Sequence, residues 1–321
     1  MAKTLIYKGE KLKSKQSFTD RKGEQHKLDV YLPSEELKMA VNLAFNLKRP
    51  LLLMGEPGCG KTRLAEAVAY ELHGDKMYDH FFRWDIKSTT KAKDGIYQYD
   101  ALRRLRDVNA EIDIDDISKY IADGELVKAL KQTPNGDKPN ILLIDEIDKA
   151  DIDFPNDLLL ELDKSIVRYS VEGQAFDIKP SSDIKPIIFV TSNQEKELPP
   201  ALLRRCLYQY IHFPEKEQLE EIVSKYVESV DDKLIDKAID IFLEIRSSLD
   251  ENDKKPSTSE LIDWFQMISF YSGLKGKGSK LSKEEKQLVE QLDAIDIEKV
   301  PFRQVLLKTY ASSEQYNVEN D

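Results

Sequence analysis

The stretch from Arg49 to Leu72 constrains the fold of this 321-residue chain more than any other. An apolar run, RPLLLM (49–54), stops at a glycine. From there the chain reads Gly55-Glu56-Pro57-Gly58-Cys59-Gly60-Lys61-Thr62, and a helical stretch follows from Lys61 to Leu72. A short apolar run ending at glycine fits a buried strand of a parallel sheet. Strand, glycine-rich loop and helix in that order are the context in which a G-x-x-x-x-G-K-[ST] pattern cradles phosphates. The glycines let backbone N–H groups turn inward around a β-phosphate with no Cβ in the way. Lys61 would place its charge on the β- and γ-phosphates, and Thr62 would offer its hydroxyl to Mg²⁺. The N-terminus of the helix adds a favourable dipole. Gly55, Glu56, Pro57, Gly58, Cys59, Gly60, Lys61, Thr62 and the following Arg63 are therefore the expected nucleotide contacts, with ATP and Mg²⁺ as ligands.

The rest of the chain supplies the sheet that such a loop needs. HFFRWDI (80–86), NILLIDEID (140–148), KPIIFVTSN (185–193) and LYQYIHF (207–213) read as further strands, separated by helical stretches such as 156–165 and ALLRRC (201–206). Strands alternating with helices predict an α/β fold, a parallel sheet with right-handed crossovers. After Pro214 the strand signal ends, and 215–275 reads as a small helical domain.

Four segments are expected: an N-terminal arm or hairpin (1–36), an α/β core (37–214), a helical lid (215–275) and a C-terminal helix and tail (276–321). The arm draws its β-type runs from TLIY and LDVYL, and a capped amphipathic helix begins at Ser34. Within the core, 88–132 is a polar, helix-prone insert, and 165–178 alternates like a hairpin around Glu172-Gly173. GLKGKGSKLSKEEK (273–286) reads as a flexible joint. Trp84 and Trp264 read as core residues.

A second chemical signal ends the strand ILLID. Asp145 and Glu146 stand at a strand's C-terminal edge, which faces the crevice where open α/β sheets bind ligands. Asp145 would hold the Mg²⁺ shell, and Glu146 would polarise the attacking water. Asp148 reads as a structural or interface acid.

Composition narrows the alternatives. The balance of 48 basic against 59 acidic residues gives a net charge of −11, which argues against sequence-blind nucleic-acid binding. Lys87, Lys91, Lys93, Arg103, Arg104 and Arg106 read as a solvated helical face rather than a basic stripe. No apolar run is long enough to span a bilayer, and MAKTLIYKGEKLKSKQ does not read as a signal peptide. Cys59 and Cys206 form no spaced framework, so two reduced thiols and a cytoplasmic setting are expected. His26, His73, His80 and His212 lack metal-ligand spacing.

The order GEPGCGKT, LLIDEID, FVTSN and LPPALLRRC resembles that of AAA+ ATPases, and the wording of DEIDKADIDFPNDLLLEL and TSNQEKELPPALLRRC looks like the MoxR group. The resemblance covers about 35–275. It implies that Asn193 is the polar sensor 1 residue, bonded to the attacking water or γ-phosphate. It also implies that Arg204 or Arg205 is an arginine finger delivered to the neighbouring subunit. A finger in trans implies a homo-oligomer, by resemblance a hexamer.

The resemblance further implies a protein client to remodel, often a partner with a von Willebrand factor A domain. It matches 88–132 to an insert facing the ring's centre and 165–178 to a hairpin before sensor 1, where Tyr97 and Tyr99 would either grip a client or serve as ordinary packing residues. One departure stands out. KKPSTSELIDWF (254–265) has the Ser257/Glu260 spacing of a capping box but no arginine in the first turn, where a sensor 2 arginine is usual. Lys254 or Lys255 would have to substitute, or the contact is absent. That departure keeps a slow-turnover nucleotide switch or signalling scaffold open beside a protein remodeller. A nucleic-acid motor fits the charge less well.

Overall fold

The computed structural model describes residues 6–20, 23–227, 232–249, 254–272 and 300–307. Two compact units divide the chain: Met1–Glu56 with Gly60–Ile211, and Pro57–Cys59 with His212–Asp321.

The first unit begins with an antiparallel hairpin of β1 (Gln16–Thr19) and β2 (Gln25–Leu28). The hairpin is built from the largely polar QSFT and QHKL, which take only Leu28 from the predicted run LDVYL; Thr4 and Leu5 of TLIY lie outside the described residues. Backbone bonding explains the difference. The Tyr7 N–H donates to Asn42 Oδ1 at 2.7 Å and its carbonyl accepts from Asn42 Nδ2 at 3.0 Å, so a side-chain amide replaces a neighbouring strand. Asp20 closes the real turn, its carboxylate accepting from Glu24 N at 2.9 Å and its carbonyl from Gly23 N at 3.1 Å.

Helix α1 (Glu35–Leu47) starts where Ser34 Oγ accepts from Leu37 N, and stops at Lys48 in the left-handed region. It buries Leu37, Ala40, Val41 and Ala44. Then come β3 (Leu51–Gly55), α2 (Lys61–His73), α3 (Met77–His80) and β4 (Phe81–Asp85). The insert contributes β5 (Tyr97–Tyr99), α4 (Ala101–Asn109), β6 (Ile121–Asp123) and α5 (Glu125–Lys131). Next are β7 (Ile141–Asp145), α6 (Phe154–Asp157), α7 (Leu159–Lys164), β8 (Val167–Val171), β9 (Gln174–Ile178), β10 (Ile187–Ser192), α8 (Pro200–Arg205) and β11 (Leu207–Ile211).

Five of these strands form one parallel sheet in the order β11-β3-β10-β7-β4. Leu51, Leu52 and Leu53 and the run Ile141–Ile144 are fully buried, because helices cover both faces. That is why these strands read as continuous apolar runs with no polar alternation. The register aligns the functional ends: Ser192 faces Met54, and Asp85 faces Asp145.

The insert is less helical than its composition predicts, since β5 and β6 pair antiparallel within it. Tyr97 stacks on Tyr169 at 4.5 Å, and Tyr169 stacks on Phe176 at 4.9 Å. Arg104 donates to Tyr99 Oη and pairs with Glu172 at 3.4 Å. Packing against the β8–β9 hairpin thus overrides the local helical bias. Lys87, Lys91, Lys93, Arg103 and Arg106 are exposed, and Arg104 is half-buried.

The second unit packs α9 (Lys216–Tyr226), α10 (Asp232–Ser248) and α11 (Thr258–Ser272) around Leu219, Ile239, Phe242, Trp264 and Phe265. Trp264 donates its indole N–H to the Pro301 carbonyl at 2.6 Å. Ser257 N donates to Glu260 Oε2 at 2.9 Å, and the Ser257 hydroxyl also bonds that carboxylate, so α11 starts as its capping pattern predicts. The buried Arg246 lies 3.7 Å over the Phe213 ring and donates to Pro256 O. The expected joint at 273–286 and most of the C-terminal helix and tail lie outside the described residues.

Candidate active site

The site is assembled where β3, β7 and β10 end side by side. Gly55 closes β3, and Gly60 caps α2 with φ 94°, a left-handed conformation that glycine adopts without strain. A Cβ on Gly60 would also lie 3.1 Å from the Tyr31 ring. Glu56, Pro57 and Gly58 are exposed, while Cys59 is buried and forms no disulfide. Lys61 is only 6% exposed, and its ammonium donates to the carbonyls of Gly55 and Glu56, at 2.8 Å each. The backbone at the start of the loop therefore holds the Lys61 ammonium. Arg63, expected among the nucleotide contacts, is exposed and pairs with Asp29 at 2.7 Å and Glu66 at 3.3 Å.

Asp145, at the end of β7, is 4% exposed and bound by three side chains. Thr62 Oγ1 donates at 2.9 Å, Thr191 Oγ1 at 2.6 Å and Arg83 Nη2 at 2.9 Å. Arg83 also donates through Nε to Asp85 at 2.7 Å. A carboxylate beside a threonine hydroxyl at a phosphate loop is a hard-oxygen donor set, and that chemistry fits Mg²⁺.

Glu146 follows in the left-handed region, φ 60°, with its N–H on Thr191 Oγ1 at 2.8 Å. Its Oε1 accepts from Asn193 Nδ2 at 2.9 Å and its Oε2 from Lys149 Nζ at 2.5 Å. Partial burial pushes this carboxyl up, but the bonds from Lys149 and Asn193, with the Lys149 and Lys61 charges, hold it below the usual range. Asp148 is 2% exposed and accepts from the N–H groups of Asn193 at 3.0 Å and Glu195 at 2.9 Å. It fastens the loop after β10 to the turn after β7.

Lys61, Thr62, Asp145, Glu146 and Asn193 thus belong to one arrangement, as their motifs imply. Arg204 and Arg205 bond to none of its members. Arg205 pairs with Asp163 at 2.5 Å and donates to Ala201 O, whereas Arg204 is exposed and its side chain forms no hydrogen bond or ion pair among the described residues. Sequence reasoning missed Thr191, Arg83 and Lys149, because each acts across strands or a turn rather than inside a motif. It also gave no sign that Asp20, Glu24 and His26 converge at the first hairpin, their ligand atoms within 4.8 Å of one another.

A parallel sheet with a glycine-rich loop after one strand and paired carboxylates at the next-but-one strand defines a P-loop nucleoside triphosphatase core. Residues 51–215 match the family model described as ATPase family associated with various cellular activities (AAA), and the chain belongs to that family. Its core is accordingly a nucleotide-binding ATPase domain.

Among curated proteins, it is 28% identical over 201 residues to spastin from Drosophila mojavensis, covering 62% of this chain and 22% of that protein. It is 31% identical over 187 residues to spastin from Dictyostelium discoideum, covering 54% and 22% respectively. It is 26% identical over 179 residues to the proteasome-activating nucleotidase of Pyrococcus furiosus, covering 54% and 36%. The chain therefore spans only a minor part of these relatives. Among the described residues, no helix is long and apolar enough to cross a membrane.

Proposed function

We propose that this protein hydrolyses ATP as a ring-forming AAA+ ATPase of MoxR type and uses the cycle to remodel a protein client. The observation that carries this reading is the division of labour at the site. One copy brings a glycine-rich loop, Thr62, Asp145, Glu146 and Asn193 together, while its exposed Arg204, with no side-chain hydrogen bond or ion pair among the described residues, is bonded to none of them. Lys61 would leave the carbonyls of Gly55 and Glu56 for the phosphates. Asp145 and Thr62 would hold Mg²⁺, which when bound neutralises phosphate charge. Glu146 would orient and deprotonate the attacking water, with Asn193 holding both. Arg204, rather than the ion-paired Arg205, would reach the neighbouring copy's phosphates, and such fingers contribute ~10³–10⁵ in rate. Hexamer, cytoplasm and a client with a von Willebrand factor A domain follow by analogy with the MoxR group. The insert and the β8–β9 hairpin, joined through Tyr97 and Tyr169, would face that client.

The second reading is a slow-turnover switch. It is favoured by the double engagement of Glu146 and by the absence of an arginine in the first turn of α11. One set of rates separates the two. For the motor, turnover per protomer rises with protein concentration. Glu146→Gln then keeps ATP affinity and loses turnover by ~10²–10⁴, and Arg204→Ala also lowers turnover without weakening binding. Tight ATP binding with negligible turnover in the unaltered protein at every concentration would make it a switch.

A further inference from the structure

We propose that Arg49 is a positioning residue for the arginine supplied in trans, holding the end of α8 so that Arg204 is aimed outward. The inference rests on the reading of Arg204 above. Helix α8 has six residues, and the last carbonyls of a helix have no partners within it. Arg49, more than 150 positions earlier, supplies them. Its Nε donates to Arg205 O at 3.0 Å, and its Nη2 donates to Arg204 O at 2.5 Å and Cys206 O at 3.1 Å.

A planar guanidinium can serve three carbonyls at fixed angles, which an ammonium cannot, and its charge suits a helix C-terminus. A helix this short has little intrinsic stability, so its end takes the orientation its external partners impose. The flanking side chains are fixed as well: Leu202 and Cys206 are buried, and Arg205 is tied to Asp163 and Ala201. Arg204 is exposed, and its side chain forms no hydrogen bond or ion pair among the described residues. Arg49 immediately precedes Pro50 and β3, whose far end is the phosphate loop. One strand thus supports both the cation given to a neighbour and the cradle used by its own copy.

The test uses full-length protein and mixed assemblies. Arg49→Gln should keep its affinity for a fluorescent ATP analogue and lower turnover on the order of 100-fold, the loss expected when a reacting group is misplaced by about 1 Å. Arg49→Lys should fall in between. The deciding measurement is complementation. A Glu146→Gln protomer has a dead site but an intact Arg204, so mixing it with Arg49→Gln should restore turnover at the Arg49→Gln sites. General damage to the fold would not be repaired this way. Arg204→Ala mixed with Glu146→Gln is the control. If that pair recovers and the Arg49→Gln pair does not, or if Arg49→Gln alone turns over normally, the role of Arg49 is refuted. If the Arg204→Ala pair itself fails to recover, the trans-acting arginine is refuted, and this inference goes with it.

Discussion

Asp145 accepts from side chains on three different elements, Thr62 on α2, Thr191 on β10 and Arg83 on β4. Thr191 is the pivot, because its hydroxyl donates to Asp145 and accepts from the Glu146 N–H. Thr191→Val keeps the shape but removes the hydroxyl that the buried Asp145 carboxylate and the partly buried Glu146 N–H both bond, so we expect a loss of ~1–3 kcal/mol in urea unfolding. Turnover should fall while ATP affinity stays close to that of the unaltered protein. An unchanged unfolding midpoint would mean that Thr191 is only a packing residue. The position of Asp145 and Glu146 was readable beforehand, since they follow an apolar run, whereas Asn193 was picked out through the family resemblance. Thr191, Arg83 and Arg49 were not readable, since their partners lie far away in the chain and become neighbours only through strand pairing.

At the scale of elements, the strands of the parallel sheet were legible because burial on both faces leaves uninterrupted apolar runs. An N-terminal hairpin or arm was expected, but not the strands that form the hairpin, nor the β5–β6 pair. Asn42 satisfies the backbone at Tyr7, where the apolar pattern suggested a strand, and the Tyr97–Tyr169 stack stabilises strands in a segment of helical composition. Gly95 shows how tightly the insert is seated. A Cβ there would lie 2.2 Å from the ring of the buried Trp84, itself edge-on to Phe154 at 5.4 Å. Gly95→Ala should therefore cost ~1–3 kcal/mol and change Trp84 fluorescence, because a packed aromatic core has no room to shift. A melt and emission spectrum matching those of the parent protein would show that the insert can move off Trp84.

At the scale of the molecule, the α/β unit also carries a pH limit. His73 and His80, the last residues of α2 and α3 and both 6% exposed, stack at 4.5 Å, with His73 Nε2 on Pro139 O at 2.9 Å. Burial, aided by His80, Lys138 and Lys11 and opposed by the Pro139 bond, lowers the His73 pKa to about 4. The unfolded chain takes up this proton near pH 6.5 and the folded one does not. Stability is therefore full above pH 6.5 and declines toward pH 4, by up to about 3 kcal/mol. Urea midpoints measured from pH 7.5 to 4.5 should fall less steeply in His73→Gln; parallel slopes would assign the acid sensitivity elsewhere.

By itself the amino-acid order determined that a phosphate cradle sits between a buried strand and a helix, and that carboxylates end a second strand. Such motifs are local, so neighbouring residues suffice to specify them. Only the tertiary structure decided which strands lie side by side. With β10 beside β7, Thr191 joins Asp145 to Glu146, and with β3 beside β11, Arg49 reaches the end of α8. Contacts made through sheet order and crossovers depend on the whole chain at once, and no window of sequence contains them.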